Sequence, residues 1–183
     1  MGSEMCIRDS IGVAGAGGLL LTQGYRMERI TVWLDPAASE KGHQTIQGLY
    51  AIGSGGLFGK GLGQSMQKLG FLPEANNDMI FSVICEELGL FGALCVLALF
   101  FALIWRFMVI AVNAPDLYGS MIVVGVIAHI GIQVFINIAV ATNTIPNTGI
   151  PLPFISYGGS SLVFMLLEMG LVLSVSRYIN VKK

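Results

Sequence analysis

The sequence predicts an all-α fold: a polytopic bundle of transmembrane helices carrying one large extracytoplasmic loop. Three observations lead there. Residues 117–167 contain no Asp, Glu, Lys or Arg, a run far longer than the ~20 residues one bilayer crossing needs. Hydrophobic residues make up 54% of the 183-residue chain and charged residues 11%, against about 25% charge in a soluble domain. Within the uncharged run, residues 147–161 read NTGIPLPFISYGGSS, and their prolines and glycines divide it into two helices. Irregular backbone at membrane depth must pack on protein or line a wet cavity. This stretch is therefore expected to form a structured, re-entrant polar turn near one surface.

The elements follow in chain order. Residues 1–10, MGSEMCIRDS, are polar and lack the basic region and apolar core of a signal peptide; they read as a non-native leader. Residues 11–22 are uncharged but too short to span a bilayer, and read as the end of a transmembrane helix in a C-terminal fragment. Residues 23–78 hold ten of the 21 charged residues and form the extracytoplasmic loop. Its glycine-dense part, AIGSGGLFGKGLG at 51–63, suits close packing on the membrane surface, because glycine permits tight approach and positive φ. Transmembrane helices are expected at 79–105, 117–141 and 160–178, with a short turn beginning at Arg106 and containing Pro115. Arg106 and the basic tail of Arg177, Lys182 and Lys183 place that turn and the C-terminus on the cytoplasmic side, and the large loop outside.

Composition narrows the function classes. A net charge of −1 gives no sign of a nucleic-acid partner. Cys6, Cys85 and Cys95 have neither metal-knuckle nor disulfide spacing, and Cys85 and Cys95 read as small apolar packing residues. The glycine run is not a phosphate loop, since GxxxxGK[ST] ending at Gly59-Lys60 would need glycine at Ser54 and a hydroxyl at Gly61.

Four polar groups stand out against this background. Asp78 lies where the polar loop meets the next helix, a position that suits an N-cap or first-turn residue. It equally suits a general base held at the membrane–water boundary. Ser82 and Glu86 follow it at i+4 and i+8, on roughly one helical face. Glu86 and Glu87 project about 100° apart and cannot act as an acid pair on one bond. His129, Gln133 and Asn137 form an i, i+4, i+8 stripe in an apolar helix, which serves either as hydrogen-bonding glue between helices or as the lining of a polar cavity. Glu168 is alone in the last helix and ionisable within the membrane, which makes it a site candidate whose partner lies in the stripe or on another helix.

Four longer motifs in order carry a family resemblance: YRMERITVWLDP at 25–36, AIGSGGLFGKGLGQS at 51–65, QKLGFLPEANNDMIFSVICEELG at 67–89 and PNTGIPLPFISYGGSS at 146–161. Together they resemble the SEDS family of FtsW, RodA and SpoVE, nearest in pattern to the FtsW/SpoVE branch. The resemblance implies the C-terminal part of a ten-helix membrane protein. It also implies a peptidoglycan glycosyltransferase that polymerises lipid II into glycan strands for cell division or sporulation. The essential aspartate of the family's PE-x-x-x-D motif falls on Asp78, with Asn77 where threonine is common. On this resemblance Asp78 is the catalytic base, and Lys68, Glu74, Arg29, Glu86, Ser156 and Tyr157 are the substrate-binding residues. Lys68 and Arg29 would face the leaving pyrophosphate. No metal ligand is implied, and a divalent cation, magnesium or manganese, is the one cofactor left open. The implied partners are lipid II and the nascent strand, a class B penicillin-binding protein acting as transpeptidase, and other divisome proteins. The implied location is the bacterial cytoplasmic membrane, and the fragment alone is expected to be inactive. Two other classes stay open: a lipid II flippase or transporter using Glu168 and the His129 stripe, and a non-catalytic divisome scaffold.

Overall fold

The structure, a computed structural model, describes residues 24–36, 42–65 and 77–179. The expected leader and truncated helix lie outside the described residues. The chain divides into two compact units, Met1–His43 and Gln44–Lys183. Helix α1 spans Gly24–Leu34 in the first. Helix α2 spans His43–Ser54, and α3 (Ile80–Val112), α4 (Leu117–Ala141) and α5 (Gly159–Arg177) complete the second. No strand occurs among the described residues. The stretch expected as a polar loop thus carries two helices of its own.

Helices α3, α4 and α5 are each long and apolar enough to cross a membrane. At 1.5 Å per residue the shortest, α5 with 19 residues, is about 28 Å long, close to the ~30 Å hydrocarbon core. Their common core is built from Ala93, Phe100 and Phe107 of α3, Val123, Val126, Ile130 and Val134 of α4, and Met165 and Val172 of α5. Large apolar side chains such as Phe101, Trp105, Phe135 and Phe164 point outward, as lipid-facing residues do in a bundle that gains nothing from burying apolar surface away from lipid. Cys85 is buried, but Cys95 is exposed, so its expected packing role is corrected: it is part of the outward apolar surface.

One boundary differs from expectation by more than a residue. Helix α3 runs through Arg106 to Val112 instead of ending at Trp105. Arginine is a good helix former, and its exposed side chain can reach the membrane surface along its aliphatic stem. The connection to α4 is correspondingly short. Asn113 closes α3, and Asp116 caps α4 by accepting a 3.0 Å hydrogen bond from the Gly119 amide.

Helix α3 is broken at Gly89, where φ is 68° and ψ −167°. An unbroken helix would pair the carbonyls of Glu86 and Glu87 with the amides of Leu90 and Phe91. The glycine-rich segment takes over both halves of those lost bonds. Lys60 and Gly61 donate to the carbonyls of Glu86 and Glu87, and the amides of Leu90 and Phe91 donate to the carbonyls of Gly56 and Leu57, at 3.0–3.2 Å. The approach requires bare backbone on both sides. A Cβ at Gly89 would lie 2.4 Å from the Gly59 amide nitrogen, and one at Gly59 would lie 2.2 Å from the Glu87 carbonyl oxygen. Helix α2 closes on the same region, since a Cβ at Gly48 would stand 3.3 Å from Ser82 Oγ. Gly89→Ala, with a strained backbone and no room for its methyl, is expected to cost about 3 kcal/mol or more, read as a lowered thermal unfolding temperature of the full-length protein in detergent.

Candidate active site

The Asn77–Met79 turn leads into α3, with Met79 at the N-cap position and no side chain capping the helix. Asp78 therefore does not act as a cap. Its side chain is only 8% exposed, and it lines a cleft of about 370 Å³ together with Asn77, Gly149, Pro151, Tyr157, Gly158 and Ser161. One wall is thus the end of the polar loop, and the other is the proline-broken turn between α4 and α5. A Cβ added at Gly149 would stand in ordinary contact with Asp78 Oδ2, at 3.9 Å, while the positive φ of 69° there favours glycine.

Hydrogen bonds hold these walls together. Asn137 Nδ2, fully buried on α4, donates to the carbonyls of both Asp78 and Ile150 at 2.8 Å. Ser156 Oγ donates to the Asn77 carbonyl at 2.6 Å and accepts from the Leu152 amide at 2.7 Å. Gln44 of α2 reaches Asp78 Oδ1 at 3.5 Å through Nε2 and accepts from Asn147 Nδ2 at 3.3 Å. The acidic group is thereby tied to α2, α4 and the 147–156 turn at once. Sequence reasoning singled out neither Gln44, which is one polar residue among many in its stretch, nor the separate part played by Asn147 inside its motif.

The other expected site residues fall in different places. Tyr157 lines the cleft and is 83% exposed. Ser156 does not line it, because its hydroxyl is turned inward onto backbone. Glu86 does not line it either. It is completely buried and accepts from Lys60 Nζ at 2.8 Å, from Ser65 Oγ, and from Ser54 Oγ at 3.5 Å. Arg29 is exposed on α1, in the N-terminal unit. Lys68 and Glu74 lie outside the described residues. Among the described residues no group of three or more His, Cys, Asp or Glu could hold a metal ion, and Asp78 is the one carboxylate on the cleft.

The stripe on α4 separates into different tasks. His129 Nδ1 lies 2.7 Å from Glu168 Oε1 on α5, so Glu168 finds its partner in the stripe and joins two helices within the apolar span. Gln133 lies beside the turn, among Pro151, Leu152 and Ser156. Asn137 serves the turn and the Asp78 backbone instead of another helix.

Three apolar spans and a carboxylate cleft built from two irregular segments define a multi-pass helical membrane protein with one polar site. The family described as cell cycle protein, FtsW/RodA/SpoVE, matches residues 4–181, and the chain belongs to it. Stage V sporulation protein E of Bacillus subtilis (strain 168) is 56% identical over 172 residues, covering 92% of this chain and 46% of that protein. A probable peptidoglycan glycosyltransferase FtsW of Geobacter sp. (strain M18) is 43% identical, covering 91% of this chain and 46% of that protein. The chain therefore spans about half the length of the curated relatives it matches. Among solved structures, one concerned with the structural coordination of polymerization and crosslinking by a peptidoglycan synthase complex aligns with a TM-score of 0.67 at 29% identity, over 96% of this chain and 50% of that one. The crystal structure of Thermus thermophilus rod shape determining protein RodA aligns with a TM-score of 0.55 at 38% identity, over 72% of this chain and 39% of that one.

The ion pair between partly exposed Lys60 and buried Glu86 yields a direct test. Lys60→Met removes a cation from a completely buried carboxylate and, because the lysine itself is partly exposed, is expected to cost about 1–2 kcal/mol. The double variant Lys60→Met/Glu86→Gln is expected to recover most of that loss, measured by thermal unfolding of the full-length protein.

Proposed function

We propose that the protein of which this chain is a part is a peptidoglycan glycosyltransferase, polymerising lipid II at the outer face of the bacterial cytoplasmic membrane, with Asp78 as its general base. The observation that carries this reading is the placement of Asp78: a nearly buried carboxylate, not used as a helix cap, opening onto a cleft beside the apolar spans. A base serving substrates with lipid tails must sit at the membrane boundary, where their sugars emerge. The names of the relatives support the reaction class, and the family supports the machinery.

In the proposed step Asp78 accepts the proton of the 4-hydroxyl of the acceptor GlcNAc. As that O–H bond breaks, the oxygen attacks C1 of the lipid-linked donor MurNAc from the face opposite the leaving group. The new glycosidic bond forms, the bond from C1 to the pyrophosphate oxygen breaks with its electron pair, and the configuration at C1 inverts. Undecaprenyl pyrophosphate leaves carrying the negative charge. Arg29 and Lys68 are the cations proposed to stabilise it, and electrostatic stabilisation of a developing anion is commonly a large share of catalysis. Tyr157 and Ser161 on the cleft wall are proposed to touch the sugars, and Glu74 to contribute from the loop. Glu86 and Ser156 act one layer behind, by holding the loop and the turn in place. The partner proposed to crosslink the product is a class B penicillin-binding protein.

A flippase reading would draw on the His129–Glu168 pair within the apolar spans, and the same assay separates it from the enzyme. In lipid II polymerisation by the full-length protein with its partner transpeptidase, Asp78→Asn is expected to lower strand synthesis about 1,000-fold while leaving the folded protein intact. Equal synthesis by wild type and Asp78→Asn would sink Asp78 as the base. No synthesis by wild type beside a working control would favour the flippase.

A further inference from the structure

We infer that Asn137 is a positioning residue for the base: its amide sets where the Asp78 carboxylate stands relative to the 147–158 wall of the cleft. The inference rests on the reading of Asp78 as general base. Asn137 is on α4, 59 residues from Asp78 in sequence, and it is completely buried. Its Nδ2 joins the Asp78 main chain to the Ile150 main chain through one side chain, both at 2.8 Å. The next carbonyl upstream, that of Asn77, is joined to the same turn by Ser156 Oγ. The two consecutive carbonyls before α3 are therefore both anchored to the turn that walls the cleft.

The chemistry of the two contacts specifies the amide group. Both partners are carbonyl oxygens, so only a side chain with two N–H donors on one atom can satisfy them together. Asn137 meets that demand while its own Oδ1 is buried with no hydrogen-bond partner among the described residues. A buried orphan acceptor is unfavourable, and an apolar residue of similar size would avoid it. Such a residue would also leave the Asp78 and Ile150 carbonyls without their donor, so the amide both solvates this backbone and fixes the distance between the two cleft walls. Reacting groups must be held close to the productive geometry, and a misplacement of about 1 Å can cost about 100-fold in rate.

The test uses the full-length protein with its partner transpeptidase, and strand synthesis measured over a range of lipid II concentrations. Wild type and Asp78→Asn are run beside Asn137→Leu, which removes both bonds at similar volume, and Asn137→Asp, which turns oxygen toward the two carbonyls. Both Asn137 variants are expected to lower stability, Asn137→Asp more than Asn137→Leu, and, per folded molecule, to lower kcat by about 100-fold with KM within about threefold of wild type. Wild-type kcat in a folded Asn137→Leu would overturn the inference while leaving the base reading standing. A loss matched in both variants by loss of folded protein would assign Asn137 to bundle stability alone and would also overturn it. Full activity of Asp78→Asn, or none in wild type, would remove the base reading and this inference with it.

Discussion

A main-chain amide or carbonyl that cannot reach water needs a partner inside the protein, and that requirement shapes both irregular segments of this chain. At the Gly89 break two helical hydrogen bonds are given up, and the segment around residues 56–61 supplies donors and acceptors for all four of the freed groups. At the turn between α4 and α5 the carbonyl of Ile150 and the amide of Leu152 are satisfied by Asn137 and Ser156. Those same two side chains also hold the carbonyls of Asp78 and Asn77. The backbone of the candidate base is thus determined by the solution to a solvation problem, before any substrate is considered.

Two carboxylates on the opening of α3 illustrate how position separates roles. Asp78 and Glu86 are eight residues apart in sequence and both nearly or wholly buried. Glu86 is surrounded by Lys60, Ser65 and Ser54, so its charge is met by a cation and hydroxyls of the loop, and it fixes the loop to the helix. Asp78 borders open space, and an accessible carboxylate is the one that can exchange a proton with an incoming hydroxyl. An ion pair with a buried member adds little net stability, yet removing its partner leaves the buried charge less compensated. The Lys60–Glu86 pair joins the glycine-rich segment to the helix that follows the base.

Much of this was legible in the sequence. The three apolar spans, the break at the prolines of 146–153 and the prominence of Asp78 at a helix start follow from composition, periodicity and local chain chemistry. Helix α2 was hidden because a segment with four glycines between 48 and 56 has weak helical propensity; its helix is completed by packing on the start of α3. Arg106 looked like the end of a span because charge is the usual marker of a membrane boundary, yet a helix can outlast its apolar stretch. The partners of Glu86, Gln44 and Asn137 were out of reach for a different reason. They lie 13 to 103 residues away, and a side chain's hydrogen-bonding capacity can be read from sequence while its long-range partner cannot. Asn137 read as a member of one stripe with His129, though the two serve different structures.

The contact between His129 and Glu168 has a consequence for biogenesis. A lone charged side chain near the middle of a spanning helix costs about 3 kcal/mol to insert, and α5 carries Glu168 in a span of only 19 residues. The residue that meets it is on α4, the helix synthesised just before. If the two spans enter the bilayer together as a hairpin joined by the 142–158 turn, the carboxyl group meets the imidazole during entry and never faces lipid alone. Under that order of entry the acid–imidazole contact would form across the hairpin, with the turn that walls the cleft at its tip.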